Sequence, residues 1–310
     1  MSPVTGRFAP SPSGRMHLGN VYAALLSWLS ARKQGGSWLL RIEDLDRQRC
    51  RREYADLLMD DLTWLGLEWD NRDVPFQSGR DGLYEKTLSA LEEQGLVYDC
   101  FCRRTDLLSA SAPHASDGTP VYSGRCRGLS PSERARLGSE RKAARRLYVG
   151  EGSSFFTDGH YGLQRCDMQR DVGDCIVRRA DGNFSYQLAV VADDAAMGVT
   201  EVVRGRDLLP SAHVQRYLYS LLGVEPPCYC HLPLLVGPDG RRLSKRDKDI
   251  DMGFLRSACT QQGLVGHIMH LCGFIEQEQP LSLEEALALF SWERLPRADI
   301  EVENLQKSAD

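Results

Sequence analysis

The sequence predicts an α/β protein, in which a parallel sheet is split by an inserted subdomain and followed by a short helical region. Three observations lead there. Strand-like and helical patterns alternate from Val4 to Tyr98, a second such series runs from about Tyr186 to Val236, and the cysteine-bearing, basic stretch between them fits neither pattern.

The first strand runs from Val4 to Ala9 and stops at Pro10, Pro12 and Gly14. Leu18, Val21, Leu25, Trp28 and Leu29 then recur at helical spacing until Gly35-Gly36. Such a strand, turn and helix start aims unpaired backbone N–H groups and the positive end of a helix dipole at one spot, which suits a phosphate or carboxylate. His17 stands at that spot, where an ordinary capping turn is the plainer alternative. Ser37 to Ile42 is apolar enough for a strand buried on both faces, completing a βαβ unit with a right-handed crossover. Glu43, Asp44 and Asp46 sit just past its C-terminal end, the edge at which open α/β sheets bind ligands, and they fit helix capping equally well.

Amphipathic helices follow from about Arg51 to Leu65 and from about Gly82 to Gln94, stopped by Gly66 and Gly95. Leu96 to Tyr98 is strand-like and runs into Cys100-Phe-Cys102, with Cys126 further on and His114, Asp117 and Tyr122 between. Three thiolates and one more donor would close a tetrahedral zinc site, with His114 the first choice for the fourth ligand on chemical grounds. Cys-x-Cys is tighter than the usual spacing, so spacing alone leaves zinc open. Between Arg127 and Tyr148 seven basic residues face two acidic ones, a local charge of +5 that fits a solvated helix or a set of phosphate contacts. Phe155 to Asp167 carries little periodic signal. Cys175 to Val177 reads as a strand, Ala180 to Asn183 as a hairpin-type turn, and Tyr186 to Ala192 as a returning strand. A helix from about Ser211 to Leu222, a strand from His231 to Val236 and a turn at Gly237 to Gly240 lead to the basic run Arg241 to Lys248. Cys228 and Cys230 read as packing thiols. The end is helical in pieces (Phe254 to Gln262, Val265 to Cys272, Leu283 to Phe290), and the polar tail from Arg297 is expected to fray.

With 310 residues and 42% hydrophobic composition, the chain can bury a real core in about two domains. No apolar stretch approaches the roughly 18 residues that cross a bilayer, and no charged start with an apolar run precedes Arg7, so no membrane role and a cytoplasmic location are expected. The ten cysteines then read mostly as buried free thiols. A net charge of −5 excludes a protein that is basic all over, while leaving room for RNA if the basic residues gather on one face.

Arg7-Phe-Ala-Pro-Ser-Pro-Ser-Gly-Arg-Met-His-Leu-Gly-Asn20 resembles the first signature of the class I aminoacyl-tRNA synthetases, and over its length that of their glutamyl group. Asn20 stands where the general signature often has a second histidine. Arg41-Ile-Glu-Asp-Leu-Asp46, the stretch from Phe184 to Asp194, and Val199 to Asp207 resemble the glutamyl enzymes too. Arg242-Leu-Ser-Lys-Arg246 resembles the second signature, with Arg242 in place of its first lysine. Cys100-x-Cys102 followed by Tyr122-x-x-x-Cys126 resembles a short subgroup, the glutamyl-Q tRNA(Asp) synthetases. The loop between Cys102 and Tyr122 is longer than that subgroup leads one to expect.

The resemblance implies a Rossmann-type catalytic fold: residues 1–98 its first half, 99–185 a zinc-containing insert like an acceptor-end domain, 186–248 the second half with the second signature, and 249–310 a helical stem-contact-like region. It implies ATP binding by His17, Gly19, Asn20 and Lys245, with His17 and Lys245 catalytic and Mg2+ accompanying the nucleotide. Glutamate would be bound by Arg7, Ala9, Ser11, Glu43, Tyr186 and Arg204. Structural Zn2+ would be held by Cys100, Cys102, Tyr122 and Cys126, with His114 as the rival to Tyr122. Only 62 residues follow Lys248, so no anticodon-binding domain is expected. The implied reaction is ATP-dependent activation of L-glutamate and its transfer to queuosine in tRNA(Asp), by a monomer, with the Arg127 to Arg146 run and Lys248 touching phosphate. The alternatives are a minimal synthetase charging a tRNA 3′ end and a catalytically silent zinc-containing RNA-binding protein.

Overall fold

The computed structural model describes residues 3–107, 121–241 and 251–302. His114, Arg242, Lys245 and Lys248 lie outside the described residues. The chain opens with β1 (Thr5–Phe8), α1 (Leu18–Lys33) and β2 (Ser37–Leu40), and β1 and β2 pair in parallel from Thr5 opposite Ser37 to Phe8 opposite Leu40. The crossover is tight because Gly36 lies against the first strand, where an added Cβ would stand 2.3 Å from the Val4 carbonyl oxygen. Helix α1 buries residues around its whole circumference, from Leu18 and Val21 to Leu29 and Ala31. The reason is a cover on two sides, by the parallel strands on one and by a late helix (Leu283–Leu289) on the other.

Next come α2 (Arg52–Trp64), a 3-10 turn (Gln77–Gly79) and α3 (Asp81–Glu93). They lead to β3 (Val97–Cys100), the short α4 (Arg104–Leu107), α5 (Pro131–Glu140), β4 (Ala144–Leu147), β5 (Ser153–Asp158), β6 (Gly162–Asp167) and β7 (Cys175–Arg178). Here pairing turns antiparallel: β3, β4 and β7 form one sheet, and β5 and β6 a hairpin. The chain then returns through α6 (Tyr186–Ala196), β8 (Glu201–Gly205), α7 (Leu209–Leu222), β9 (Cys228–Leu232) and β10 (Leu235–Val236). It ends with α8 (Met252–Ala258), α9 (Gln261–Leu271), α10 (Leu283–Leu289) and β11 (Ile300–Glu301). Pairs β8–β9 and β10–β11 are parallel. The two parallel regions meet where Thr200 N donates to the Thr5 carbonyl at 2.9 Å, just before β8. Among the described residues no helix is long and apolar enough to cross a membrane.

Three expectations are corrected. Tyr186 to Ala192 is helix α6, not a strand; Ser185 caps it by accepting from Leu188 N, and every residue from Leu188 to Asp194 is buried. A helix covered on nearly all sides has no polar face, so its sequence lacks the period that separates helix from strand. Phe155 to Asp167 holds a regular hairpin, hidden because the inward side of β5 ends on the buried carboxylate of Asp158 where the pattern calls for an apolar residue. The basic run is divided: Arg134 and Arg136 lie on α5, which buries no residue, while the rest of the run includes arginines committed to partners. Arg127 grips Asp174, Arg145 pairs with Asp99 and Glu92, and the 5%-exposed Arg146 lies 3.9 Å over the Tyr122 ring.

The hairpin is seated by α7. His213 Nδ1 is 2.9 Å from Ser154 Oγ and its ring meets Phe156 edge-on at 4.9 Å. Burial pulls its pKa down to about 4, with Arg216 adding to the effect. The unfolded chain, near 6.5, therefore binds the proton first, and this contribution to stability is present above about pH 6.5 and lost as pH falls toward 4. Urea melts at pH 7.5 and 5.0 should show His213→Asn losing about 2 kcal/mol less on acidification than the parent chain.

Candidate active site

A cleft of about 420 Å³ opens where β1, the start of α1, the end of β2, the first turn of α6 and the end of β8 converge. It brings together Arg7, Ala9, Ser11, His17, Asn20, Glu43, Tyr186 and Arg204. Gly19 lies one residue inside α1, against the His17 ring. The loop carrying Ala9 and Ser11 is tied down by main-chain bonds: Arg41 N donates to the Phe8 carbonyl at 3.0 Å and Glu43 N to the Pro10 carbonyl at 2.9 Å.

His17 is the N-cap of α1. Its Nδ1 accepts from Gly19 N at 3.1 Å, while Asn20 Oδ1 accepts from His17 N at 3.2 Å. Asn20 thus closes a capping box, which accounts for an amide at this position. With Nδ1 accepting, the neutral imidazole carries its proton on Nε2 and presents a donor there, beside the helix N-terminus.

Glu43 is 9% exposed and accepts from Arg41 Nη2 at 3.0 Å. Burial raises its pKa, opposed by Arg41 and Arg7. Arg41 is wholly buried, donates to Asp194 at 2.5 Å and lies 3.5 Å from Asp193. Burial works against its charge, and Asp194, Glu43 and Asp193 together more than offset that, so it stays a cation. Asp193 also accepts from Gln77, Arg80 and Tyr84. The other two carboxylates after β2 stand apart from the cleft: Asp44 accepts from Ser78 and Asp46 pairs with Arg49.

Two guanidinium groups line the same cleft as Glu43. Arg7 is 3.6 Å from Asp194, its Nη1 donates to the Val203 carbonyl at 3.4 Å, and its Nε makes no hydrogen bond within the chain. Arg204 donates to Tyr186 at 3.4 Å, Gln215 at 2.9 Å, the Leu208 carbonyl at 3.1 Å and His231 at 3.2 Å. Burial raises the Tyr186 pKa, so its hydroxyl keeps its proton. A carboxylate together with guanidinium and phenol donors in one cleft suits a small molecule bearing an ammonium and a carboxylate. A further groove of about 430 Å³ shares Ser11, Glu43 and Tyr186 and extends toward Arg49, Arg179 and Asn183.

Away from the cleft, the ligand atoms of Cys100, Cys102 and Cys126 lie within 4.8 Å of one another. The Tyr122 hydroxyl stands 3.5 Å from Cys100 Sγ and 3.8 Å from Cys102 Sγ, and accepts from Cys126 N at 2.8 Å. Three sulfurs and one oxygen converging at this range fit a tetrahedral metal site.

Residues 3–285 match the family model for the catalytic domain of class I tRNA synthetases (E and Q). A Symbiobacterium thermophilum protein named glutamyl-Q tRNA(Asp) synthetase is 46% identical over 309 residues, covering 96% of this chain and 95% of that one. One of the same name from Nitratidesulfovibrio vulgaris is 45% identical over 303 residues, 94% of each chain. The chain belongs to the glutamyl-Q tRNA(Asp) synthetase family. A glutamate tRNA ligase from Elizabethkingia meningosepticum, solved in complex with its amino acid, superposes with a TM-score of 0.83 at 24% identity over 97% of this chain and 67% of that chain. This member is thus a class I synthetase-type ligase with the α/β fold of that ligase.

Sequence reasoning missed the supports of the cleft: Arg41, Asp193, Asp194, Gln215, His231 and Asp158. The signal available was a charge inside an apolar run, at Arg41 within Trp38 to Ile42 and at Asp193-Asp194 behind Leu188 to Ala192. Removing one partner of such a network leaves the others buried and unpaired, which costs about 3–5 kcal/mol. Arg41→Met is expected to lose about that much in a urea melt at neutral pH and to abolish glutamate binding in calorimetry.

Proposed function

We propose that this chain activates L-glutamate with ATP and transfers the glutamyl group to queuosine at the wobble position of tRNA(Asp). The observation that carries the reading is the convergence of Glu43, Arg7, Tyr186 and Arg204 on one cleft. Glu43 takes the ammonium group, whose charge offsets the burial of the carboxylate. Arg7, Tyr186 and Arg204 take the side-chain carboxylate, and Ala9 and Ser11 form the floor. A glutamine amide offers no second acceptor oxygen to the guanidinium groups, and donors left unpaired in a buried site give discrimination of about 10⁴ or more.

The α-carboxylate of glutamate attacks the α-phosphorus of ATP, the bond to pyrophosphate breaks, and glutamyl-adenylate forms. His17 Nε2–H, the first turn of α1 at Gly19 and Asn20, and Lys245 of the second signature stabilise the charge that develops on the phosphates. Mg2+ bound with ATP supplies charge neutralisation on the triphosphate. A hydroxyl of the queuosine cyclopentene-diol then attacks the activated carbonyl and releases AMP. The groove running toward Arg49 and Arg179 receives that nucleoside. No side chain forms a covalent intermediate, so positioning and electrostatics supply the rate. Cys100, Cys102, Cys126 and Tyr122 hold a structural Zn2+ that fixes the insert, and the RNA substrate places the enzyme's work in the cytoplasm.

Radiolabelled glutamate and ATP, offered with queuosine-bearing tRNA(Asp), the same tRNA with guanosine at that position, or tRNA(Glu), test the reading. Label is expected on the first alone. Label on tRNA(Glu) would make the chain a minimal charging enzyme, and none on any RNA would remove the ligase reading. In the same assay Glu43→Gln should lower glutamate activation by about 10²-fold, the worth of a lost charge-assisted contact in a buried site.

Zinc is tested separately. Elemental analysis should find about one zinc per chain, and Cys126→Ser should both lose it and lower the melting temperature. Full stability without metal would overturn the assignment.

A further inference from the structure

The strongest unexplained feature beside the cleft is a buried chain of polar groups running from the β5–β6 hairpin to the arginine that faces the substrate. Asp158, at the end of β5, is 1% exposed, and His231, on β9, is 0% exposed. Asp158 Oδ1 accepts from three main-chain N–H groups: His160 at 3.0 Å, Tyr161 at 2.9 Å and His231 at 3.2 Å. Its Oδ2 is 2.6 Å from His231 Nδ1, and His231 Nε2 lies 3.2 Å from Arg204 Nε, which can only donate. One proton arrangement satisfies every member: the His231 proton on Nδ1, donated to Asp158, and Nε2 accepting from Arg204. Burial lowers the His231 pKa and the neighbouring guanidinium groups add to this, while Asp158 opposes it; the ring stays neutral, as an acceptor must. The turn after Asp158 is pressed against β9: Gly159 N donates to the Tyr229 carbonyl at 2.8 Å, and an added Cβ there would stand 2.3 Å from Cys230 Sγ.

We propose that Asp158 and His231 are positioning residues for Arg204. Asp158 fixes the imidazole tautomer, and the imidazole fixes the guanidinium plane that reads the substrate's side-chain carboxylate. The hairpin thereby sets amino-acid recognition in a site to which it contributes no contact. This rests on the functional reading above. It also accounts for a charged residue at an inward position of β5, where an apolar one would pack at lower cost.

Three variants separate positioning from mere packing. Asp158→Asn keeps Oδ1 for the three main-chain donors and turns an NH2 group toward His231 Nδ1. The imidazole proton is then driven to Nε2, donor against donor with Arg204. In His231→Gln the side-chain oxygen reaches the place of Nε2 and can accept from Arg204. In His231→Asn the shorter amide replaces only Nδ1 and its bond to Asp158.

In glutamate-dependent ATP–pyrophosphate exchange, Asp158→Asn and His231→Asn should raise KM for glutamate about tenfold or more, the loss of one charge-assisted hydrogen bond, and leave KM for ATP within about twofold. His231→Gln should recover most of the glutamate affinity. Equal effects on both KM values, or His231→Asn outperforming His231→Gln, would overturn the proposal. Nitrogen-15 histidine NMR, with the His231 signals assigned by their loss in His231→Gln, gives a readout independent of activity. The ring should be protonated at Nδ1 in the parent chain and at Nε2 in Asp158→Asn, and an unchanged tautomer in a folded Asp158→Asn would overturn the proposal. A parent chain without glutamate-dependent exchange would sink the functional reading, and the tautomer would still decide the hydrogen-bond chain.

Discussion

The Arg41 guanidinium is the interaction on which the rest of the site depends. It sits at zero exposure at the end of β2 and touches three carboxylates that arrive from two places, Glu43 just beyond its own strand and Asp193 and Asp194 from α6. Arg7 from β1 and Arg80 from the start of α3 complete the balance of charge. In a low-dielectric interior such a cluster holds only while its charges match, because any unmatched member bears the full penalty of desolvation. The matching therefore fixes geometry. It locks β2, α6 and β1 in one relation, and that relation sets the distance across the cleft between Glu43 and the donors on Arg7 and Arg204. An apolar core of the same volume would pack as well and leave that separation unspecified.

How much of this was legible in the sequence follows from what each residue's neighbours reveal. Helix α1, strand β2 and helices α2 and α3 were readable, because Leu18, Val21 and Leu25, or Leu58, Leu62 and Leu65, recur with a period and end at glycines. The cleft residues were readable only through motif resemblance; nothing in spacing brings Arg7 near Arg204, which the fold joins by laying β8 alongside β1. The supports were illegible for a physical reason. Arg41 and His231 lie inside apolar stretches and Asp158 in one with little periodic signal, and a buried charge cannot be told from a surface one until its partners, 27 to 153 residues away, are known. Helix α6 was taken for a strand because burial on all sides erased the period. Lys245 and His114 lie outside the described residues; the expected role of Lys245 rests on the motif and that of His114 on ligand chemistry.

The cysteine cluster is tied to the β3–β4–β7 sheet by polar groups, not by apolar packing alone. Arg146 stacks on Tyr122, donates to Cys100 Sγ at 3.2 Å and to the Asp174 carbonyl at 2.6 Å, while the Asp174 side chain receives Arg127, Tyr98 and Val149 N. Asp174 immediately precedes β7, and β7 leads through a short turn to Ser185 and Tyr186. The cysteine cluster is thus mechanically continuous with the phenol that lines the cleft. The β5–β6 hairpin makes a second connection through Asp158 to His231. Both routes run from the antiparallel strands to the elements that carry Tyr186 and Arg204, while Glu43 follows β2.

This distribution bears on how an acidic protein can act on RNA. Six of its arginines, Arg7, Arg41, Arg127, Arg145, Arg146 and Arg204, are committed to structural or cleft contacts. Four of them, Arg7, Arg41, Arg146 and Arg204, are buried and so unavailable to a phosphate backbone, which leaves the accessible surface less positive charge than the composition suggests. Non-specific attraction to RNA scales with the number of phosphates that surface cations neutralise, and buried arginines add nothing to that number. Arg134 and Arg136 on the exposed helix α5 remain at the surface, the latter paired with Glu140. A cation that already has an acidic partner gains less from a phosphate, so the local charge of +5 overstates the attraction this stretch can offer.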